Sequence, residues 1–311
     1  MNQQSSIWLP EAASTIAGDV DHLFYFILVT SVILFVGVMA TMVFFAWRYR
    51  RRSPNDRPTP VHENRIVEAS WVVFPTILVA IVFIWGFKVF LEQGIAPPNS
   101  YEVNVTARKW SWTFTYPNGV ISPDLHVPVN RPIKLRMSSE DVIHSFFVPA
   151  FRIKADVLNG RYSYVWFEAT RKDTFLVACT EYCGTAHSDM YSRVIVESQD
   201  DFNTWLADNI DDGTMTPAER GERLYTLQGC FGCHSLDGSV AAGPSFAGLA
   251  GSMRNFTDGT NAVADDNYLR TSIVNPAAQI VEGYDNVMPG QYAVTMSAEE
   301  IDALIAFINE Q

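Results

Sequence analysis

The sequence predicts a multidomain membrane protein with a two-helix transmembrane hairpin, a β-sandwich and a C-terminal all-α domain. Three features of its 311 residues support this prediction. Two long apolar runs lie near the N-terminus, strand-like alternation extends over residues 99–198, and capped helical segments follow residue 214. The expected division is 1–22 for an extracytoplasmic N-terminal segment, 23–92 for the hairpin, 93–200 for the sandwich, 201–213 for a linker and 214–311 for the helical domain.

The two apolar runs are long enough to span a lipid bilayer. Residues 24–47 are 24 residues without a charge, and as a helix they extend about 36 Å, against a hydrocarbon core of roughly 30 Å. Residues 71–87 form the second run, which can continue past Lys88 because this long side chain can reach the interface. The alternative is a pair of buried core helices.

Basic residues predict the orientation of the hairpin. No Lys or Arg precedes Arg48, and arginines are concentrated between the two spans. Such loops are retained in the cytoplasm, so the N-terminus and everything after about residue 92 are expected outside. The first span is too long for a cleaved signal peptide and lacks a basic segment before it. The net charge of −12 argues against a nucleic-acid partner.

The segment 99–198 is rich in Val, Thr, Phe, Tyr and Trp that alternate with polar residues, and Pro, Gly and Asn interrupt it at short intervals. This pattern is typical of a β-sandwich of about 100 residues.

The C-terminal segment has the signals of a small helical domain. Thr216-Pro217-Ala218-Glu219 and Ser297-Ala298-Glu299-Glu300 are both capping boxes, and the second precedes an apolar helical repeat. From residue 214 onward, 12 acidic residues outnumber 4 arginines. The domain is therefore expected to be helical and strongly acidic.

The most informative motif is CTEYCGTAHSDM at residues 179–190. Cys179, Cys183, His187 and Met190 offer two thiols, an imidazole and a thioether within twelve residues. A disulfide would leave the histidine and the methionine unexplained, and zinc gains little from a thioether. Thiolate, imidazole and a weak axial thioether are the ligands of copper sites that transfer electrons. The residues favour copper, with a disulfide and a zinc site as alternatives.

The second cysteine indicates more than one copper ion. A mononuclear blue copper site needs a single thiolate, whereas two thiolates can bridge two ions. Two ions then require a second imidazole. Among the 6 histidines, His144 is the best candidate, because it begins an apolar strand after an acidic turn. A purely structural histidine is the alternative.

Residues 20–205 closely resemble subunit II of the haem-copper cytochrome c oxidases. The resemblance depends on motifs in the right order: the helical hairpin, RKWSWTFTYP, SSEDVIHSFFVP and CTEYCGTAHSDM. It implies a cupredoxin-like sandwich that holds a binuclear copper centre, CuA. Two bridging thiolates, one imidazole per ion and weak axial ligands would complete the centre. The implied ligands are Cys179, Cys183, His144, His187, Met190 and the backbone carbonyl of Glu181.

The resemblance also implies roles for three further side chains. Trp110 matches the tryptophan that receives electrons from an external cytochrome c, with a core aromatic as the alternative. The side chain of Glu181 matches a ligand of a magnesium ion at the contact with subunit I. Glu68 matches the glutamate at the mouth of the K proton channel, although the helix dipole alone also favours an acid there. The chain departs from the family at Ser111, which replaces a frequent aromatic residue and alters the usual docking surface for soluble cytochrome c.

The second cysteine pair lies in GCFGCH at residues 229–234. Cys230, Cys233 and His234 form the C-x-x-C-H pattern that attaches a c-type haem, with the histidine as an axial ligand. A thioredoxin-like dithiol is the alternative, but here the motif follows a helical segment. The candidates for the sixth ligand are Met253, Met288 and Met296. The domain resembles the class I cytochromes c, in which a Met-Pro pair before the last helix has this role, and this implies Met288.

A CuA domain followed by a cytochrome c domain matches the caa-type oxidases. The resemblance implies subunit II of such an oxidase in a bacterial plasma membrane, which passes electrons from haem c through CuA to haem a of subunit I for oxygen reduction and proton pumping. The expected partners are subunits I and III, membrane lipid, and a donor with a basic face or a neighbouring respiratory complex. The alternatives are subunit II of a CuA-type nitric oxide reductase and a membrane-anchored electron carrier.

Overall fold

The computed structural model describes residues 6–55, 57, 63–210, 213–290 and 292–311. Two long helices, α1 (Ala17–Arg48) and α2 (Arg65–Gly94), form the N-terminal hairpin. Most of their apolar side chains are exposed, as expected where lipid is the solvent. Because the Asn64 side chain accepts hydrogen bonds from the first backbone amides, α2 begins well before the apolar run. Pro75 therefore lies inside this helix, in its third turn.

The outer end of the hairpin is fixed to the sandwich by polar contacts. The Arg152 guanidinium donates to both carboxylate oxygens of Asp21, at 2.6 and 3.0 Å, and Asp21 is only 4% exposed. The Trp166 indole donates to the backbone carbonyl of Glu92 at 3.0 Å, near the end of α2. A buried ion pair of this kind is costly to break, so the sandwich is held in a defined position at the outer end of the hairpin.

Ten strands in two five-stranded sheets form the sandwich. The first sheet has the order β3-β2-β1-β5-β8 and the second the order β4-β10-β9-β6-β7, with parallel pairs only at β1/β5 and β4/β10. The strands are β1 (Tyr101–Arg108), β2 (Ser111–Thr115), β3 (Ile121–Ser122), β4 (Leu125–Pro128), β5 (Pro132–Ser139), β6 (His144–Val148), β7 (Ile153–Val157), β8 (Ser163–Glu168), β9 (Asp173–Cys179) and β10 (Tyr191–Glu197).

The core between the sheets follows the alternation of the sequence. Inward positions such as Val103, Phe114, Leu135, Phe146 and Val177 are at most 1% exposed. Their burial makes the sandwich a rigid platform for the loops at its ends.

A short helix, α3 (Gln199–Asp208), follows the last strand and packs on the sandwich. Phe202 joins the sandwich core, and the Trp205 ring stacks on His126 with centroids 3.9 Å apart. The first part of the segment 201–213 is therefore a packed helix.

The C-terminal domain consists of α4 (Pro217–Leu227), a small hairpin of β11 (Met253–Asn255) and β12 (Asn261–Val263), α5 (Asp266–Val274), α6 (Tyr292–Thr295) and α7 (Ala298–Asn309). Both predicted capping boxes, at Thr216 and at Ser297, are confirmed. Helices α4 and α7 cross at Gly221, where an added Cβ would lie 2.6 Å from Phe307 Cβ. The predicted order of hairpin, sandwich and helical domain is confirmed.

Candidate functional site

The loop between β9 and β10 carries most of the candidate copper ligands. Cys179 is the last residue of β9, and Met190 directly precedes β10. The amide of Cys179 donates to the carbonyl of Met190 at 3.1 Å, which closes the base of the loop. Cys183 and His187 lie within it. The antiparallel pair of strands thus fixes both ends of a loop that is rich in metal ligands.

The side chains of this loop converge on one point. The two Sγ atoms of Cys179 and Cys183 are 3.9 Å apart, and all four cysteines of the chain are free thiols. Cys183 Sγ lies 3.4 Å from His187 Nδ1 and 3.7 Å from Met190 Sδ. Cys179 Sγ lies 3.3 Å from the carbonyl oxygen of Glu181. The His187 imidazole and the Met190 thioether therefore lie beside Cys183, and the Glu181 carbonyl lies beside Cys179, in the small volume around the two thiols.

His144 reaches the same volume from the neighbouring strand. It begins β6, which pairs with β9 so that Phe146 lies opposite Cys179. The His144 ring is fully buried, and its Nδ1 lies 3.9 Å from Cys179 Sγ. Its Nε2 lies 2.8 Å from the Asp141 carboxylate. Since Nε2 is paired with this carboxylate, Nδ1 is the nitrogen that faces the thiols, where a metal ligand must lie.

Asp141 is held in place by the backbone around it. Its carboxylate accepts hydrogen bonds from the amide of Lys109 at 2.8 Å and from its neighbour Val142 at 2.6 Å. Burial raises the pKa of Asp141, but the hydrogen bonds from His144 and from the two amides outweigh burial and lower the pKa to about 2. Asp141 is thus a fixed anion behind the candidate ligand.

The two thiols differ strongly in acidity. Burial raises the pKa of Cys179, but hydrogen bonds from His144 and from backbone groups outweigh it and lower the pKa to about 6. Burial and the charge of Cys179 raise the pKa of Cys183 to about 12. Without a cation the site therefore holds one thiolate, and a second one needs positive charge between the sulfurs. Copper ions fit this site, because they bind soft sulfur and nitrogen donors and because their positive charge would stabilise the second thiolate.

The second candidate site is a cleft in the helical domain. Cys230, Cys233, His234 and Met288 all line it. Its mainly apolar wall, with these four side chains around it, suits a large flat ligand such as haem.

The position of His234 fits an axial ligand. Its Nδ1 donates to the carbonyl oxygen of Pro244 at 2.6 Å, which leaves Nε2 as the nitrogen available to a metal. Gly243 packs directly on the ring, because a Cβ on this residue would lie 2.6 Å from His234 Cε1. Burial lowers the pKa of His234 and keeps the imidazole neutral, as metal ligation requires.

The three candidate methionines lie in different environments. Met288 lines the cleft with His234. Met253 is 61% exposed on β11, and Met296 is buried in the helical core. The geometry therefore favours Met288 as the ligand opposite His234.

Trp110 lies between the two candidate sites. It lines the haem cleft, and its ring packs on Gly184 of the thiol loop, where a Cβ would lie 3.1 Å from Trp110 Cζ2. Lys109, Ala186 and Asp189 of the sandwich line the same cleft. The wall of the cleft is therefore shared with the loop that carries the copper ligands.

Glu68 is not part of either site. It is half-buried in the first turn of α2, 24 residues before Glu92, which is a distance of about 36 Å along the helix. The Glu181 side chain is partly buried on the thiol loop, and its carbonyl faces Cys179.

Sequence reasoning missed three residues that shape these sites. Asp141 orients His144, and its signal was an acid three positions before the histidine. Pro244 and Gly243 hold His234, and their only signal was a Gly-Pro pair ten residues beyond the motif.

Three family models match the chain. Residues 2–89 match the transmembrane domain of cytochrome c oxidase subunit II, residues 120–199 match its periplasmic domain, and residues 218–311 match cytochrome c. Cytochrome c oxidase subunit 2 of Alkalihalophilus pseudofirmus is 30% identical over 298 residues, which cover 89% of this chain and 83% of that protein. The subunit 2 of Thermostichus vulcanus is 29% identical and covers 70% of this chain and 84% of its own length.

Among solved structures, the periplasmic domain of subunit II of cytochrome oxidase from Bradyrhizobium japonicum is similar at 27% identity and a TM-score of 0.36. The match covers 37% of this chain and 96% of that domain. The two apolar helices anchor the chain in a membrane, with the soluble domains outside. The chain belongs to the cytochrome c oxidase subunit II family and carries a fused C-terminal cytochrome c domain.

Proposed function

We propose that the chain is the electron-accepting subunit II of a caa-type cytochrome c oxidase. In this function a covalent haem c would accept electrons and a binuclear CuA centre would relay them to haem a of subunit I, where oxygen would be reduced to water with proton pumping. The observation that carries this proposal is the position of Trp110 between the C-x-x-C-H cleft and the thiol loop. Bound copper and haem supply reversible one-electron chemistry. The protein supplies position, orientation and exclusion of water.

At the copper site the chain supplies a buried and rigid ligand set. Copper ions would be held there by the thiolates of Cys179 and Cys183 and by the imidazoles of His144 and His187. Met190, which is 1% exposed, and the Glu181 carbonyl would be weaker ligands. Asp141 keeps Nδ1 of His144 free for the metal. Because two paired strands fix the loop, its geometry changes little with the charge of the site.

At the haem site Cys230 and Cys233 would attach the macrocycle covalently, and His234 and Met288 would ligate its iron. The carbonyl of Pro244 orients the imidazole. A histidine and methionine pair raises the haem potential, which suits a carrier that donates to an oxidase.

Two acidic residues have roles at the contacts with other subunits. We propose that the Glu181 side chain binds a magnesium ion shared with subunit I, and that Glu68 is at the mouth of the K channel. Glu68 lies at the end of the hairpin remote from the sandwich, which is the cytoplasmic end. The proposal also includes subunit III and a donor with a basic face, since the haem domain has 12 acidic residues and 4 basic ones.

The test is the purified complex with its metals and haems counted. We expect two coppers and one covalent haem per chain, an EPR signal in which one unpaired electron is shared by two coppers, and haem a in a copurified subunit. The complex should consume oxygen. Consumption of nitric oxide without oxygen would instead indicate a nitric oxide reductase. Zinc or a single metal ion at the thiol loop, or a chain isolated without a haem-bearing subunit, would contradict the proposal.

Two matched variants separate the sites. Cys183→Ser should abolish the binuclear copper signal and leave the covalent haem, and Cys233→Ser should impair haem attachment and leave the copper signal. Loss of both cofactors in either variant would show that the residues act only through folding.

A further inference from the structure

The outer face of the first sheet is covered at one end. Along β2, Trp112 and Phe114 point into the core, so Ser111 and Thr113 point outward. These two outward residues are nevertheless only 4% and 8% exposed. On β5 of the same face, the outward side chain of Lys134 remains 34% exposed. The β2 end is buried because the cytochrome domain packs on it.

Polar contacts fix this packing at several points. Thr113 Oγ1 donates to the carbonyl of Leu227 at 3.4 Å, and Arg223 donates to the carbonyl of Ile121 at 3.1 Å. The guanidinium of Arg108 donates to the side-chain oxygen of Gln228. Leu227 and Gln228 end α4 and lead directly into the cysteine motif. The sandwich therefore contacts the segment that positions the haem cysteines.

Arg108 is itself held from the sandwich side. This arginine is 8% exposed, and its Nε lies 3.3 Å from the Glu140 carboxylate. The next residue, Lys109, donates its amide to Asp141, which also holds His144. One short network thus connects the docked segment with a candidate copper ligand.

Ser111 and Gly229 also pack closely against each other across this contact. A Cβ added to Gly229 would lie 2.9 Å from Ser111 Cβ and 3.0 Å from its Oγ. Gly229 has a φ of +72°, a conformation that favours glycine, and it directly precedes Cys230. In the described part of the chain the buried Ser111 hydroxyl has no hydrogen-bond partner. The small size of this side chain, and not its polarity, is what the contact requires.

We propose that Ser111 and Gly229 are a matched pair of small residues that docks the chain's own cytochrome domain on the Trp110 face of the sandwich, with Arg108 and Gln228 as the polar anchor. This docking reserves the face for the resident domain, so a soluble donor delivers electrons to the haem domain instead. The electron-transfer part of this inference rests on the proposed function, whereas the docking itself does not.

The test compares two substitutions at one position in the full chain within its oxidase. Ser111→Tyr should expose the amides of residues 225–230 to hydrogen exchange and slow electron transfer from haem to copper about tenfold or more, the effect expected from overpacking an interface. Ser111→Ala should match the wild type in both measurements. Ser138→Tyr is the control, because Ser138 lies outward on β5 of the same face.

Unchanged exchange and an unchanged rate in Ser111→Tyr would overturn the inference, and so would loss of docking in Ser111→Ala. Gln228→Ala removes the anchor without adding bulk and provides a second variant if the tyrosine protein does not accumulate. It should increase exchange in the same amides, and unchanged exchange would also count against the inference. A wild type that lacks copper or haem refutes the proposed function, while the exchange comparison still tests the docking.

Discussion

Replacement of Asp141 by asparagine should weaken copper binding although no ligand is removed. The carboxylate accepts hydrogen bonds on both oxygens, from His144 Nε2 at 2.8 Å and from the amide of Lys109 at 2.8 Å. An asparagine has only one oxygen to offer these two donors. If its NH₂ group faces Lys109, two donors oppose each other. If it faces His144, the imidazole proton moves to Nδ1, which lies 3.9 Å from Cys179 Sγ, and this nitrogen can no longer bind a metal.

Two independent considerations give the size of the expected loss of copper affinity. Loss of a hydrogen bond to a charged group costs about 1.5–3 kcal/mol. Loss of the partner that orients a metal-bound histidine lowers metal affinity by about 10- to 100-fold, or about 1.4–2.7 kcal/mol. The two ranges agree, so we expect the copper affinity of Asp141→Asn to fall between about 10- and 100-fold.

The assay is a copper competition against a chelator, followed by thiolate-to-copper absorption of the full chain. Asp173→Asn is the matched control, because Asp173 is exposed at the opposite end of β9, about 20 Å from Cys179. A copper affinity of Asp141→Asn within about twofold of the control would refute the role of this carboxylate.

Acid unfolding of the copper-free protein gives a second measurement of Asp141. Its pKa is lowered from 3.8 to about 2 by folding, so its stabilising contribution is complete above pH 3.8 and is lost as the pH falls through about 2. The difference in unfolding free energy between wild type and Asp141→Asn should therefore shrink over this range. A difference that does not depend on pH would show that folding does not shift the pKa of this carboxyl group.

Three further predictions concern the two sites and the helical domain. Below about pH 6, copper affinity should fall by a further factor of about ten per pH unit, because Cys179 is then a thiol that must lose its proton to bind copper. A copper affinity that does not change with pH in a chelator titration would contradict this. Met288→Ala should keep the covalent haem, lower its potential in a redox titration and allow cyanide to bind, whereas Met253→Ala on the surface should change none of these. Gly221→Ala should destabilise the cytochrome domain by about 1–3 kcal/mol in thermal unfolding, because the new Cβ would lie 2.6 Å from the Cβ of Phe307. Gly290→Ala is the control, because a Cβ on Gly290 would have no neighbour within 4 Å.

The candidate ligands fall into two groups by how they could be found. Cys179, Cys183, His187 and Met190 lie within twelve residues, so local spacing alone groups them. His144 lies 35 residues before Cys179, and only the pairing of β6 with β9 brings its ring to the thiols. Strand pairing is a long-range contact that residue types in one sequence specify poorly. The local pattern made His144 only the best of the six histidines, with a structural role as the alternative, and the resemblance to a family supported the choice.

By itself the sequence determined the hairpin, the alternation of the sandwich, the capped helices and the two cysteine motifs, since each depends on neighbours a few residues apart. Only the tertiary structure decided which nitrogen of His144 faces the thiols, which methionine lines the haem cleft, and that the cytochrome domain rests on Ser111. These features depend on packing between segments that are distant in the chain. Such packing is set by the shape and burial of whole surfaces, and no local periodicity encodes it.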